Sequence, residues 1–512
     1  MRNMLYSVLL TAFVLVAIAT PAISQIAPLE YYIDLRDRSE DLFHVRLTVE
    51  NLGPDNAIYQ FASTAPGTYQ VMDVGRFVQS FQAFDGDGEA LETERAAVNQ
   101  WRIQEPARVR SIEYAIAETW DTPVEVHPIY PMAGTSIEAN HVLFNAHAVV
   151  GYPAGLQDAP VHVHLEYPDG WQVGTALERA VDDGFAADDY DHLVDSPILL
   201  GQLTLASTEI GGAVVEIYTY SKSGGVQSEQ LLESMREMLQ SASEFLGELP
   251  VDRYVFLFHF EWDGRTSGAW EHSYSSEYVL PDITFSDRAG AFITDMAAHE
   301  FLHIITPLNI HSEIIEQFNF EQPVPSAHLW LYEGVTEWGA HAMQLRSGLT
   351  TIGEHLEVIA GKIQADRQYR ADYSLEQLSL TSYSDEGQSQ YSNIYQRGAL
   401  VGELLDILLL DLSDGESGLQ ELLQKLMRYY GKGRAFPDCG FYDVVAAMTY
   451  PELQDFFGRY VKQAEPLPIG EYYGKLGIDV VTDGQGQPVG FEVQADASER
   501  QLMLRQAWMG EK

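Results

Sequence analysis

The sequence predicts an α+β multidomain protein: an N-terminal β-sandwich over 25–207, a mixed α/β domain over 208–348, an α-helical domain over 349–465 and a short tail over 466–512. Three observations carry this reading. Residues from about 28 to 205 alternate in the two-residue period of strands, and from 349 to about 465 helical patterns dominate. Between them lies a helical run bearing two histidines four residues apart, His299 and His303. With 512 residues and 46% hydrophobic content the chain has material for several cores.

Ahead of the strands, Met1–Gln25 joins a lone positive charge at Arg2 to an apolar run over Leu5–Ala19 and to Ala22-Ile23-Ser24. This is a Sec signal peptide over 1–24, with small residues at the cleavage positions. The apolar run is short for a membrane helix and no cysteine offers a lipid anchor. No later stretch is apolar enough to span a bilayer. The expectation is an exported protein, periplasmic or secreted, without stable membrane insertion of the mature chain. Its net charge of −45, from 30 basic and 75 acidic residues, becomes −46 without Arg2. Such a field repels nucleic acid and anionic membrane surfaces, which excludes both as partners. Cys439, the only cysteine, reads as a small core residue.

The sandwich rests on runs such as Tyr31–Leu35, Phe43–Val49 and Val161–Tyr167, separated by turn clusters at Asn51-Leu-Gly-Pro-Asp and Asp85-Gly-Asp-Gly. His162 and His164 share one strand face and read as exposed or packed rather than as metal ligands. The mixed domain opens with the strand Val214–Tyr220, a helix over Ser228–Leu246 and a strand over Tyr254–Phe260. Gly268-Ala-Trp-Glu271-His272-Ser273 follows.

The run Ala291–Ile305 has no proline until Pro307 and reads as a helix. Residues four apart then share a face with side chains roughly 6 Å apart, so both imidazoles can grip one ion. Glu300, about 100° around the helix, is close enough to bond a metal-bound water. A second helix over Ser326–Ser347, closed by Gly348, offers Glu333 as third ligand. Glu337, four residues on, can accept the remaining N–H of a ligand histidine. Asn309 stands where a third histidine ligand would, and His311 misses that spacing. Two nitrogens, one carboxylate and an open position for water are the donor set of catalytic Zn2+, with Glu300 as the base.

The pair H-E-F-L-H and L-W-L-Y-E-G-V-T-E resembles the gluzincins, with their thermolysin-type catalytic domain. More narrowly it resembles the glycyl-aminopeptidase family of bacterial zinc peptidases, and the 29 residues between His303 and Glu333 suit that family. The resemblance implies a thermolysin-like α/β catalytic domain acting on peptides with a free N-terminus, small residues such as glycine and alanine preferred. Gly268 and Glu271 match a G-x-x-E motif that binds the substrate's ammonium, and Glu271-His272 keeps the family's Glu-His. Tyr395-Gln-Arg-Gly398 matches a Y-x-K-G-type motif, with arginine for lysine, whose tyrosine donates to the oxyanion; Tyr391 is the alternative. Ala65–Val71 and Asp189–Pro197 also resemble family stretches and look structural, whereas Ile304–Glu313 departs from the commoner basic stretch. Usual relatives continue into a PDZ domain, for which the residues after 465 are too few. An endopeptidase with the same metal site is the rival reading. A non-catalytic peptide-binding relative is disfavoured by the complete set of ligands and base.

Overall fold

The computed structural model describes residues 27–181, 183–247, 249–262 and 267–511; the expected signal peptide over 1–24 lies outside them. In Leu29–Asp34 and Leu42–Thr48 every second side chain is buried, which is what the two-residue period demands of a sheet with one covered face. Both belong to an eight-stranded sheet, accompanied by two four-stranded sheets. Tyr31, Tyr59, Phe61, Trp101 and Phe144, drawn from all three sheets and their links, share one core. Leu29–Asp34 runs parallel to Val161–Glu166, with Glu30 opposite His162. The Glu30 carboxylate consequently takes both His162 and His164, each at 3.0 Å, which accounts for that histidine pair.

A five-stranded mixed sheet follows, in the order Thr204–Ile210, Ala213–Ser221, Arg253–Phe260, Ser275–Leu280, Gly268–His272. Its first strand begins before residue 208. Gly211 and Gly212, both at positive φ, close a two-residue hairpin that ties Thr204–Ile210 to the next strand. The Gly268–His272 segment is itself the edge strand, antiparallel to Ser275–Leu280. Helices Ser228–Leu246 and Asp287–Leu302 pack beside this sheet and each other.

Helices then dominate, the longest being Ile352–Asp366 and Asn393–Leu412. They do not form a separate core: Phe256 of the sheet, Leu404 and Trp508 belong to one continuous apolar cluster. The tail forms a short helix, Ile469–Lys475, two strands, Ile478–Thr482 and Pro488–Val493, and a further helix, Glu499–Trp508, capped reciprocally by Ser498 and Gln501. Cys439 corrects the expectation of a core residue. It lies exposed in the single turn Asp438–Gly440, which is held by Asp438 accepting from Ser326 Oγ rather than by the thiol. Among the described residues no helix is long and apolar enough to cross a membrane.

Candidate active site

Ser286 caps the helix Asp287–Leu302 by accepting from Ala289 N–H, so the helix starts four residues earlier than the sequence suggests and ends at Leu302. His303 occupies its C-cap with helical backbone angles, preserving the register that stacks it on His299. The Nε2 atoms of the two rings are 3.1 Å apart. Glu333 Oε2 stands 3.4 Å from His299 Nε2 and 3.5 Å from His303 Nε2. Glu333 does not ride on a plain α-helix: Trp330–Val335 forms a π-turn that runs into the α-helix Thr336–Arg346. Such turns concentrate at functional sites because the widened ring re-aims a side chain.

Both imidazoles are oriented from behind. His299 Nδ1 faces Glu337 Oε2 at 2.8 Å, and His303 Nδ1 faces the Thr306 carbonyl at 3.0 Å. Acceptors at both Nδ1 atoms fix the proton there and leave a bare Nε2 on each ring aimed at Glu333. Two such nitrogens and a buried carboxylate oxygen match the donor set of a zinc site. Burial works against charge on both rings, yet the carboxylates prevail. Glu333 and Glu337 raise His299, and Glu271 and Glu333 raise His303 to about 9. The cluster thus calls for positive charge at its centre. Glu337 also receives Lys362 Nζ and, at 3.2 Å, His341.

Glu300 is buried beside the triad, its Oε2 has no hydrogen-bond partner, and burial pushes its carboxyl up. Its carboxylate, that of Glu271 and a His303 nitrogen lie within 4.8 Å of one another. Tyr395 approaches His299 at 5.6 Å between ring centres, and Tyr391 approaches Tyr395 at 6.1 Å. Burial, then Glu333, hold the Tyr395 phenol well above its ordinary range, so it stays a donor. Tyr395 lies in the first turn of the helix Asn393–Leu412, and Gly398 lies about one turn further in.

Glu271, His299, Glu300, His303, Glu333, Glu337, Tyr391 and Tyr395 line a cavity of about 590 Å³ together with Gly67, Thr68, Gly268 and Trp270. The structure therefore gathers every residue singled out for a role: Glu271, Gly268, His299, Glu300, His303, Glu333, Glu337, Tyr391 and Tyr395. It adds Lys362 and the Gly67-Thr68 pair, which sequence reasoning missed. The segment Ala65–Val71, read as structural, brings Gly67 so near the strand Gly268–His272 that a Cβ there would meet Glu271 Oε1 at 2.8 Å. His311 is directed away, to the Pro307 carbonyl and Glu316.

A helix-borne His-Glu pattern, a glutamate from the following helix and a mixed sheet whose edge strand overlooks both define a peptidase of metallohydrolase architecture. The sequence matches two profiles of one family, the peptidase M61 N-terminal domain over residues 30–202 and the M61 glycyl aminopeptidase over residues 293–401. The chain belongs to the M61 glycyl aminopeptidase family.

Among solved structures, the aminopeptidase N family protein from Idiomarina loihiensis aligns with a TM-score of 0.78 at 21% identity, over 92% of this chain and 82% of that one. An M1 zinc metallopeptidase from Deinococcus radiodurans, crystallised as a mutant with a Tyr-Ser-Ala substrate, aligns at 0.52 with 13% identity, over 87% and 95%. Yeast LTA4 hydrolase aligns at 0.53 with 13% identity, over 87% and 68%. At these identities the likeness is one of fold. No curated protein sequence matches.

Proposed function

We propose that this chain is an exported zinc aminopeptidase that removes N-terminal residues from peptides with a free amino terminus. The observation that carries the proposal is the convergence of His299 Nε2, His303 Nε2 and Glu333 Oε2 within 3.5 Å, with the unpartnered carboxylate of Glu300 beside them. His299, His303 and Glu333 would hold the ion; when bound, zinc supplies Lewis acidity to the scissile carbonyl and to the attacking water.

The chain's own groups do the rest. Glu300 takes the proton of the attacking water and returns it to the departing amine. The Tyr395 hydroxyl donates to the carbonyl oxygen as negative charge develops there. Glu337, steadied by Lys362, keeps His299 in the tautomer that presents a bare Nε2. Glu271 pairs with the substrate's ammonium, and this pairing selects chain ends, because an internal peptide brings no charge to a buried carboxylate. Export rests on the 1–24 segment.

A preference for glycine and alanine follows from the family resemblance and from bulky Trp270 next to Glu271. A second cavity of about 670 Å³ shares Gly67, Trp270 and Glu271 with the first and is lined by Asp189, Asp191, Asp195 and Glu316. That opening favours the second reading, an endopeptidase, because a chain extending past Glu271 would find room there.

Metal analysis combined with cleavage of free and N-acetylated peptides separates these readings. The expected results are one equivalent of zinc bound through His303, activity lost on chelation and restored by zinc, and Glu300→Gln inactive but metal-replete. Acetylated peptides should resist by orders of magnitude, and Glu271→Ala should cripple turnover of free peptides without losing metal. Efficient cutting within acetylated peptides would establish the endopeptidase. A fully active Glu300→Gln variant would overturn the mechanism.

A further inference from the structure

Away from the cavity, a second group of donors meets at the seam between the β-rich unit and the central sheet. His141 opens the strand His141–Phe144 of the first, His259 sits in the strand Arg253–Phe260 of the second, and Glu261 follows that strand directly. Both histidines are fully buried, and their Nε2 atoms face each other at 2.8 Å. Glu261 Oε2 lies 3.3 Å from His141 Nε2 and has no hydrogen-bond donor. All three ligand atoms lie within 4.8 Å of one another, and the two close pairs are comparable with His299, His303 and Glu333, at 3.1–3.5 Å in the same molecule.

Without a cation, one acceptor at the seam, Glu261 Oε2, goes unserved. His141 Nδ1 points to Asn140 Oδ1 at 3.0 Å, which also accepts from Tyr220 OH at 3.2 Å. With an acceptor there, the His141 proton resides on Nδ1 and Nε2 carries a lone pair. A proton on His259 Nε2 can serve that lone pair, but nothing then serves Glu261 Oε2, which faces the same bare nitrogen. Lys222 occupies only the other oxygen, Oε1, at 2.6 Å. A metal ion among the three atoms would satisfy all of them at once. Tyr220 stacked on His141 at 3.7 Å and Trp120 edge-on to His259 at 5.1 Å wall the place from water, while Glu261, 14% exposed, leaves an approach.

We propose that His141, His259 and Glu261 form a second metal site, for a divalent cation of the zinc class, that clips the β-rich unit to the central sheet. Imidazole and carboxylate donors suit Zn2+, Co2+ and Ni2+ over Mg2+ and Ca2+. The site rides on an existing apolar seam, where Leu143, Leu199 and Leu203 meet Val255, Leu257 and Val279. Its ion would therefore act on the docking of the two units rather than on peptide hydrolysis.

The test is a stoichiometric titration of the metal-stripped full-length protein with Zn2+, repeated with Co2+ to read ligand-field absorption. The expectation is two equivalents for wild type, one for His303→Ala, one for His259→Ala and none for the double variant. Glu261→Gln, which keeps size and packing, should weaken only the second equivalent, by roughly tenfold or more. Thermal unfolding of His303→Ala should shift upward on adding its remaining equivalent, whereas His303→Ala with His259→Ala should not respond. A His303→Ala protein that binds no metal leaves the seam as an ordinary hydrogen-bonded pair and overturns the proposal. So does an unchanged second affinity in Glu261→Gln. The active-site reading fails separately: wild type and His303→Ala would then bind the same number of ions.

Discussion

Tyr395 and Tyr391 both line the cavity, and only Tyr395 has a ring contact with His299. Tyr395→Phe should lower kcat by about 10²–10³-fold with KM little changed, since its hydrogen bond forms fully only as the oxyanion develops. Tyr391→Phe should cost much less; steady-state kinetics on both variants check the assignment. Glu277 supports a pH prediction. It is fully buried with Asn145 Nδ2 as its side-chain partner at 3.1 Å, and burial raises its carboxyl well above the usual range. A raised folded pKa means the proton contributes stability that is whole below the unfolded value of about 4.3 and is lost as pH climbs through the folded value. Glu277→Gln should therefore gain on wild type with rising pH, by up to about 1.4 kcal/mol per unit across that window, in denaturant titrations at several pH values. The meeting of His299 with His303 was legible in the sequence because four-residue spacing on a helix is itself geometry. Lys362 was not, because its partner Glu337 lies in another helix and only the fold joins them.

The two helices that carry Glu333 and Tyr395 meet backbone to backbone. A Cβ on Gly334 would stand 2.5 Å from Gly398 Cα, and one on Gly398 would stand 2.8 Å from Gly334 Cα. Neither glycine has positive φ, so the demand is for space rather than for backbone freedom. Gly398→Ala should force the helices apart, cost about 1–3 kcal/mol and lower both zinc affinity and turnover. Gly361→Ala, in a helix with nothing near its missing Cβ, should instead be neutral or stabilise by up to about 1 kcal/mol. Unfolding and metal-binding measurements on the pair distinguish steric conflict from a general glycine effect. Apolar periodicity revealed that both segments are helical. It was silent on the π-turn, which changes local hydrogen bonding without disturbing the pattern.

Across the whole molecule, Glu403 joins regions that the sequence set apart. It is buried and accepts from Trp338 Nε1 at 3.1 Å, Tyr473 OH at 2.9 Å and Trp508 Nε1 at 2.9 Å, linking the Glu333-bearing segment to the tail. Trp508→Ala should remove a buried indole and one of those donors, costing about 3–5 kcal/mol and lowering the unfolding temperature together with activity. An unchanged unfolding temperature would show the tail to be an ornament. Strand alternation made the β-rich region legible. The helix Glu499–Trp508 escaped because only Leu504 and Trp508 are buried in it, and Trp508 meets partners such as His355 far back in the sequence.

The approach of Gly67 to Glu271 has one further consequence. On the proposed reading, the carboxylate that selects the chain end is walled by a loop from another module, about two hundred residues earlier in the sequence. Small insertions or exchanges around residue 67 would then retune which amino acids are trimmed while sparing the hydrolytic machinery. Selectivity in such enzymes could drift on its own evolutionary clock.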